Sequence, residues 1–210
     1  RGPDGFGLWD QPGLGFGHRR LSIIDLAAGH QPMLTRDGAI GVTFNGEIYN
    51  YRDLKKQLEG FGHQFQTHSD TEVILHGWRQ WGTDCVTHFR GMFAFALYDV
   101  ARETLFMARD PMGKKPLHYS MLADGTLIFG SELKSLRPYP GLARAVDPLA
   151  IEDYLAFGYI PDPRSIYKSV LKLPAVFANY KRDSGLHYPD PFPEDKPKFK
   201  IDAANVKQYA

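Results

Sequence analysis

The chain has 210 residues, 43% of them hydrophobic, with 25 basic and 24 acidic side chains and a formal net charge of +1. That length fits one domain core or a domain and a half. No apolar run approaches the roughly 20 residues of a membrane helix, and no charged start followed by an apolar stretch marks an export signal. Interspersed, near-neutral charge offers no footprint for a phosphate backbone, so neither a membrane nor nucleic acid is an expected partner. The single cysteine, Cys85, permits no internal disulfide and no thiol-rich metal site, in keeping with a reducing compartment. The eight His residues show no HxxxH-type pairing, and no metal site is expected.

In chain order, Arg1-Gly2-Pro3-Asp4-Gly5 lacks an initiator Met and reads as the inside of a motif, so further residues are expected upstream. Short strand signals at Leu14 to Phe16, Arg20 to Ile24 and Ile40 to Phe44 are separated by Gly, Asp and Pro, as in meanders and hairpins. Tyr51 to Glu59 has the spacing of an amphipathic helix, stopped by Gly60 to Gly62. Ser69-Asp70-Thr71-Glu72 has the S-x-x-E spacing of a capping box, which predicts a helix beginning near Ser69 with Asp70 on its first turn. A short helix is predicted over Asp84 to Phe89. Gly91 to Tyr98 is apolar on both alternating faces, as required of a strand covered on each side. Thr104 to Arg109, Leu117 to Met121 and Thr126 to Phe129 continue the strand pattern, with Ala123-Asp124-Gly125 as a hairpin turn and a further helix over Pro148 to Phe157. From about Asp183 the chain turns proline-rich and charged, which reads as a linker, and Asp202 is placed to cap another helix. The sum is an α+β plan of two antiparallel sheets with helices outside.

Three groups of residues could carry chemistry. Asn45 and Gly46, at the end of a strand, offer a side-chain amide and an unhindered N–H, which suits a developing oxyanion; the same dipeptide also suits a plain turn between strands. Arg20, opening an apolar strand, can fork onto a carboxylate or serve as a structural partner of Asp25. Asp70 can take a ligand ammonium or be an ordinary first-turn acid. Together a guanidinium, a carboxylate and an oxyanion pair match the needs of a free α-amino acid carrying a side-chain amide. Cys85, between Trp81 and the apolar strand containing Met92, reads as a packed thiol rather than a nucleophile, although His88 lies close in sequence.

At these motifs the chain resembles the glutaminase domain of glutamine-hydrolysing asparagine synthetases, which are class II, N-terminal-nucleophile amidotransferases. The resemblance runs over residues 1–182 and rests on Arg1-Gly2-Pro3-Asp4-Gly5, Gly17-His18-Arg19-Arg20-Leu21-Ser22-Ile23-Ile24-Asp25, Gly29-His30-Gln31-Pro32-Met33 and Phe44-Asn45-Gly46-Glu47-Ile48-Tyr49-Asn50. Ser69 to Leu75, Arg90 to Ala96, Ala108-Arg109-Asp110 and Ser131-Glu132-Leu133-Lys134 continue it. It implies a four-layer αββα sandwich and release of ammonia from glutamine through a thioester. By position, Arg20 binds the glutamine carboxylate, Asp70 its ammonium, and Asn45 and Gly46 form the oxyanion hole, with Leu21, Ile23 and Glu47 lining the pocket. The resemblance also implies an ATP- and Mg-dependent synthetase domain after the 183–210 segment, a cytoplasmic setting, and aspartate as acceptor; a homodimer is compatible with it. The family's nucleophilic Cys would lie upstream of Arg1, so these residues alone are expected to fold without turnover. A paralogue amidating another carboxylate, or a non-catalytic glutamine-binding module, would share this segment.

Overall fold

The computed structural model describes residues 5–20, 29–175, 177–181 and 185–187, and the chain divides into two compact units, Arg1–Met107 and Ala108–Ala210. In the first, strands β1 (Gly5–Gln11) and β2 (Leu14–Arg20) form an antiparallel ribbon. Strand β3 (Met33–Leu34) pairs with β4 (Ile40–Ile48), which pairs antiparallel along its whole length with β5 (Gly91–Asp99), and β6 (Thr104–Arg109) follows β5 in the same sheet. The expectation for a doubly covered strand holds in β5: Phe93, Ala94, Phe95, Ala96 and Leu97 are all buried. The ribbon seats on β4 because Gly41 has no Cβ where the Trp9 ring lies, and Trp9 meets Phe16 edge-on at 5.5 Å.

Helix α1 (Tyr51–Gly60) buries Leu54 and Leu58, as its periodicity predicts, and α2 (Glu72–Trp81) buries Val73, Ile74, Leu75 and Trp78. The indole N–H of Trp78 donates to Asp99 at 2.8 Å, satisfying a donor that burial would otherwise leave orphaned. A 3-10 turn, Gly82–Asp84, leads into the short α3 (Cys85–His88), where the cysteine is fully buried.

The second unit contains the hairpin of β7 (His118–Met121) and β8 (Leu127–Gly130), turning at Gly125 with φ +84°, a backbone conformation suited to glycine. After α4 (Leu133–Leu136) and α5 (Pro148–Phe157), β9 (Leu171–Lys172) pairs with the other side of β7. Leu122, Leu136, Leu142 and Val170 form its small core. Arg109 ties the loops together: its guanidinium donates to the carbonyls of Lys115, Gly113 and Leu173 and to Asp162, while Asp110 accepts from the N–H groups of Met112, Lys114 and Lys115. Toward the chain's end, β10 (Phe177–Lys181) and β11 (Gly185–His187) form an antiparallel hairpin. No described helix is long and apolar enough to cross a membrane.

Several expectations are corrected. Strands β1, β3, β9, β10 and β11 and helix α4 have no counterpart among the expected elements. Asn45-Gly46 is not a turn, because β4 runs through it to Ile48. The capping box does not form: α2 starts at Glu72, without a side-chain cap. The N–H of Ser69, the target such a box needs, already donates to Thr67 Oγ1 at 3.1 Å. Glu72 instead accepts from the N–H groups of Gln66 (2.8 Å) and Thr67 (2.7 Å) and from the Thr67 hydroxyl (2.6 Å). Asp70 therefore lies ahead of the helix. The candidate strand over Arg20 to Ile24 lies, from Leu21 on, outside the described residues, as does Asp202.

Burial opposes the charge of Glu72, but His76 and the Gln66 and Thr67 donors outweigh it and bring its pKa down to about 2. A carboxyl depressed in the folded state contributes stability above its unfolded value, near pH 4.5, that is lost as pH falls through about 2. Glu72→Gln should destabilise the protein by about 1–3 kcal/mol at neutral pH, with the difference shrinking on acidification. Urea unfolding at a series of pH values measures this directly.

Candidate functional site

Of the candidate residues, Asn45, Gly46 and Glu47 lie on β4 and Asp70 is bonded to it. Two features hold that strand's far end in place. Gly46 has φ +156°, and a Cβ there would strike the Met92 carbonyl and Phe93 Cα of β5. Glycine is thus demanded by strand packing, which leaves Asn45 and the Gly46 backbone half-buried, opposite Ala94 and Phe93 in the register. Asp70, 4% exposed, accepts the Ile48 N–H on Oδ2 at 3.0 Å, which ties the segment before α2 to the same strand. Burial raises the Asp70 pKa, the Ile48 bond lowers it, and the charge of Glu47 raises it again; the net displacement is upward.

Arg20 closes β2, whose His18 meets β4. His18, two residues earlier on β2, places Nδ1 2.9 Å from the hydroxyl of Thr43, two residues before Asn45 on β4. Burial, and secondarily the charge of Arg20, lower the His18 pKa to about 4, so the ring is neutral at ordinary pH. Arg20 is half-buried at the end of β2. Gln31 completes the frame: its Oε1 accepts the Phe44 N–H at 2.6 Å, and its Nε2 lies 3.5 Å from Thr71 Oγ1, next to Asp70. Neither His18 nor Gln31 was assigned a role from the sequence. Both stand inside the Gly17–Asp25 and Gly29–Met33 motifs, but nothing local says that their partners are Thr43 and Phe44. Leu21 and Ile23 lie outside the described residues.

Cys85 stands apart from this group. It is wholly buried at the start of α3, and burial pushes its thiol well above the usual range, so it holds its proton and reaches no solvent. His88 gives it no help, since that ring stacks on Trp81 at 4.0 Å.

A glutamine amidotransferase domain family matches residues 1–188. The chain belongs to that family. It is 38% identical over 187 residues to asparagine synthetase [glutamine-hydrolyzing] 3 of Bacillus subtilis, a match covering 87% of this chain and 30% of that protein. Asparagine synthetase [glutamine-hydrolyzing] 1 of the same organism is 41% identical over 173 residues, covering 82% and 27%. A putative asparagine synthetase of Methanocaldococcus jannaschii is 38% identical over 223 residues, covering 94% and 42%. The chain thus spans well under half the length of these relatives. Among solved structures, the glutamine phosphoribosylpyrophosphate amidotransferase of B. subtilis aligns with a TM-score of 0.52 at 22% identity, over 83% of this chain and 34% of that one. That likeness establishes the shared α+β, N-terminal-nucleophile type of fold.

With a folded pKa below the unfolded value, His18 contributes stability that is complete above about pH 6.5 and lost as pH falls through about 4. Imidazole resonances followed by NMR should show His18 unprotonated down to about pH 5, whereas in Thr43→Val, which removes the ring's hydroxyl partner, its tautomer signature should change.

Proposed function

We propose that these residues bind glutamine and present its side-chain amide for hydrolysis, as the glutaminase part of an asparagine synthetase-type enzyme. The observation that supports it most is the buried carboxylate of Asp70, hydrogen-bonded to the strand that carries Asn45 and Gly46. In this reading Arg20 takes the α-carboxylate through parallel charge-assisted bonds and Asp70 takes the α-ammonium. As the amide carbon becomes tetrahedral, its oxygen accepts from the Asn45 side chain and the Gly46 N–H. Backbone at Leu21 and Ile23 and the Glu47 region line the pocket.

The attacking thiol forms a C–S bond and ammonia leaves, its proton supplied through the amine that served as base, and water then cleaves the thioester. Cys85, buried and protonated, does not serve, so the thiol comes from outside these residues, and the segment alone binds without turning over. The ammonia amidates an aspartate carboxyl activated as an acyl-adenylate in a synthetase portion of the same polypeptide, in the cytoplasm. ATP and magnesium belong to that portion, and no step assigned to the present residues involves them.

Asp70→Asn should weaken glutamine binding by about 2–4 kcal/mol, the cost of stripping one member from a buried charge pair. Titration calorimetry on the natural polypeptide with its nucleophile blocked reads this, and an unchanged affinity would refute the assignment. Because the Asp70 pKa is raised, the wild-type affinity should begin to fall on acidification above the ordinary carboxylate range, and Asp70→Asn should lack that dependence. Cys85→Ala should leave ammonia release from glutamine within about twofold of wild type; loss of turnover would overturn the placement of the nucleophile.

A further inference from the structure

The Gly29-His30-Gln31-Pro32-Met33 motif has no part in the proposed chemistry, yet Gln31 sits where that chemistry is arranged. Strand β3 pairs Leu34 with Gly41 and Met33 with Val42 of β4. Continued backward, that register sets Gln31 opposite Phe44, but β3 begins only at Met33. At Phe44 the Gln31 side chain takes over from the main chain: its Oε1 accepts the Phe44 N–H at 2.6 Å, as the carbonyl of a paired strand would. Gln31 is itself held. A Cβ on Gly7 of β1 would lie 2.1 Å from its carbonyl oxygen, so only glycine lets the two chains come so close, and its Nε2 lies 3.5 Å from Thr71 Oγ1.

This bond bears on which groups of β4 a ligand can meet. The N–H groups of Phe44 and Ile48 point away from β5, one to Gln31 and the other to Asp70 Oδ2 at 3.0 Å, whereas the Tyr49 N–H turns to the Arg90 carbonyl, just before β5, at 2.7 Å. Alternation along the strand puts the Gly46 N–H, midway between Phe44 and Ile48, on the same outward edge. We infer that Gln31 is a positioning residue for the oxyanion site. By standing in for a strand carbonyl it holds Phe44 in register while the main-chain ladder ends, so that the edge at Gly46 is offered to a ligand oxygen rather than to another strand. The inference deepens the proposed function and rests on it. Gln31 is assigned no contact with glutamine. Its loss therefore acts on the transition state, for which the donors must already be in place, more than on the clamp of Arg20 and Asp70 that sets binding.

Steady-state ammonia release from glutamine by the natural polypeptide tests the assignment. Gln31→Met, similar in length but without the acceptor, should lower kcat about tenfold while KM for glutamine stays within about twofold of wild type. Gln31→Glu keeps an oxygen for the Phe44 N–H and should restore kcat to within about threefold. If Gln31→Met does not fold, Gln31→Asn, whose oxygen stops about 1.5 Å short of Phe44, takes its place. Wild-type kcat in the variant without the acceptor, a rise in KM at constant kcat, or equal impairment in Gln31→Glu would each overturn the assignment, since none of these is the mark of a lost acceptor acting on the oxyanion donors. A wild type that releases no ammonia from glutamine would sink the proposed function and this inference with it, whereas the variants can fail the inference alone.

Discussion

The carboxylate of Asp70 is almost entirely removed from water and accepts the Ile48 N–H at 3.0 Å, with the backbone N–H groups of Asp70 itself and Thr71 as weaker donors. Burial of that charge outweighs these bonds, and the nearby negative charge of Glu47 adds to the cost. Such an arrangement is tolerated where a cationic ligand completes it. The α-ammonium of an amino acid is that complement in the function proposed above. The same bond also fixes the approach of the segment before α2 to the end of β4.

Strand β4 is the member to which everything else in the site is referred. Along its length it receives the Trp9 ring at Gly41, the His18 ring at Thr43, the Gln31 side chain at Phe44 and the Asp70 carboxylate at Ile48. Between these anchors Gly46 lets β5 approach to a distance that no side chain permits. A strand held at so many points has little freedom to shift, which is the preorganisation an oxyanion site requires, since donors that must move at the moment of reaction stabilise charge less. The neutral state of His18 belongs to the same economy of charge: a protonated ring beside Arg20 would compete for the anion that Arg20 is proposed to hold.

Much of this was legible along the chain. The alternation in Gly91 to Tyr98 announced a covered strand, Tyr51 to Gly60 announced a helix by its periodicity, and Ala123-Asp124-Gly125 announced a hairpin, because each depends on neighbours within a few residues. The errors have the opposite origin. Ser69-x-x-Glu72 has the spacing of a capping box, but Thr67 reaches the Ser69 N–H first and Glu72 finds better donors in the loop behind it. Asn45-Gly46 has the composition of a turn, but the continuous pairing with β5 holds the dipeptide extended. Arg109 and Asp110, which the sequence shows only as part of a motif, spend their hydrogen-bonding groups on the loops of the second unit.

The composition that began as a neutral chain of modest length with one cysteine proved accurate about that cysteine: packed and chemically silent. By itself the sequence determined the longer helices and strands and, through its run of motifs, the family, because these follow from local pattern and side-chain chemistry. Only the tertiary structure decided that Asp70 is bonded to β4 ahead of its own helix, that His18 and Gln31 meet β4 at Thr43 and Phe44, and that the outward face of α5 is exposed. Those outcomes depend on donors and surfaces contributed by residues far away in the chain, and no local spacing encodes which distant group arrives first.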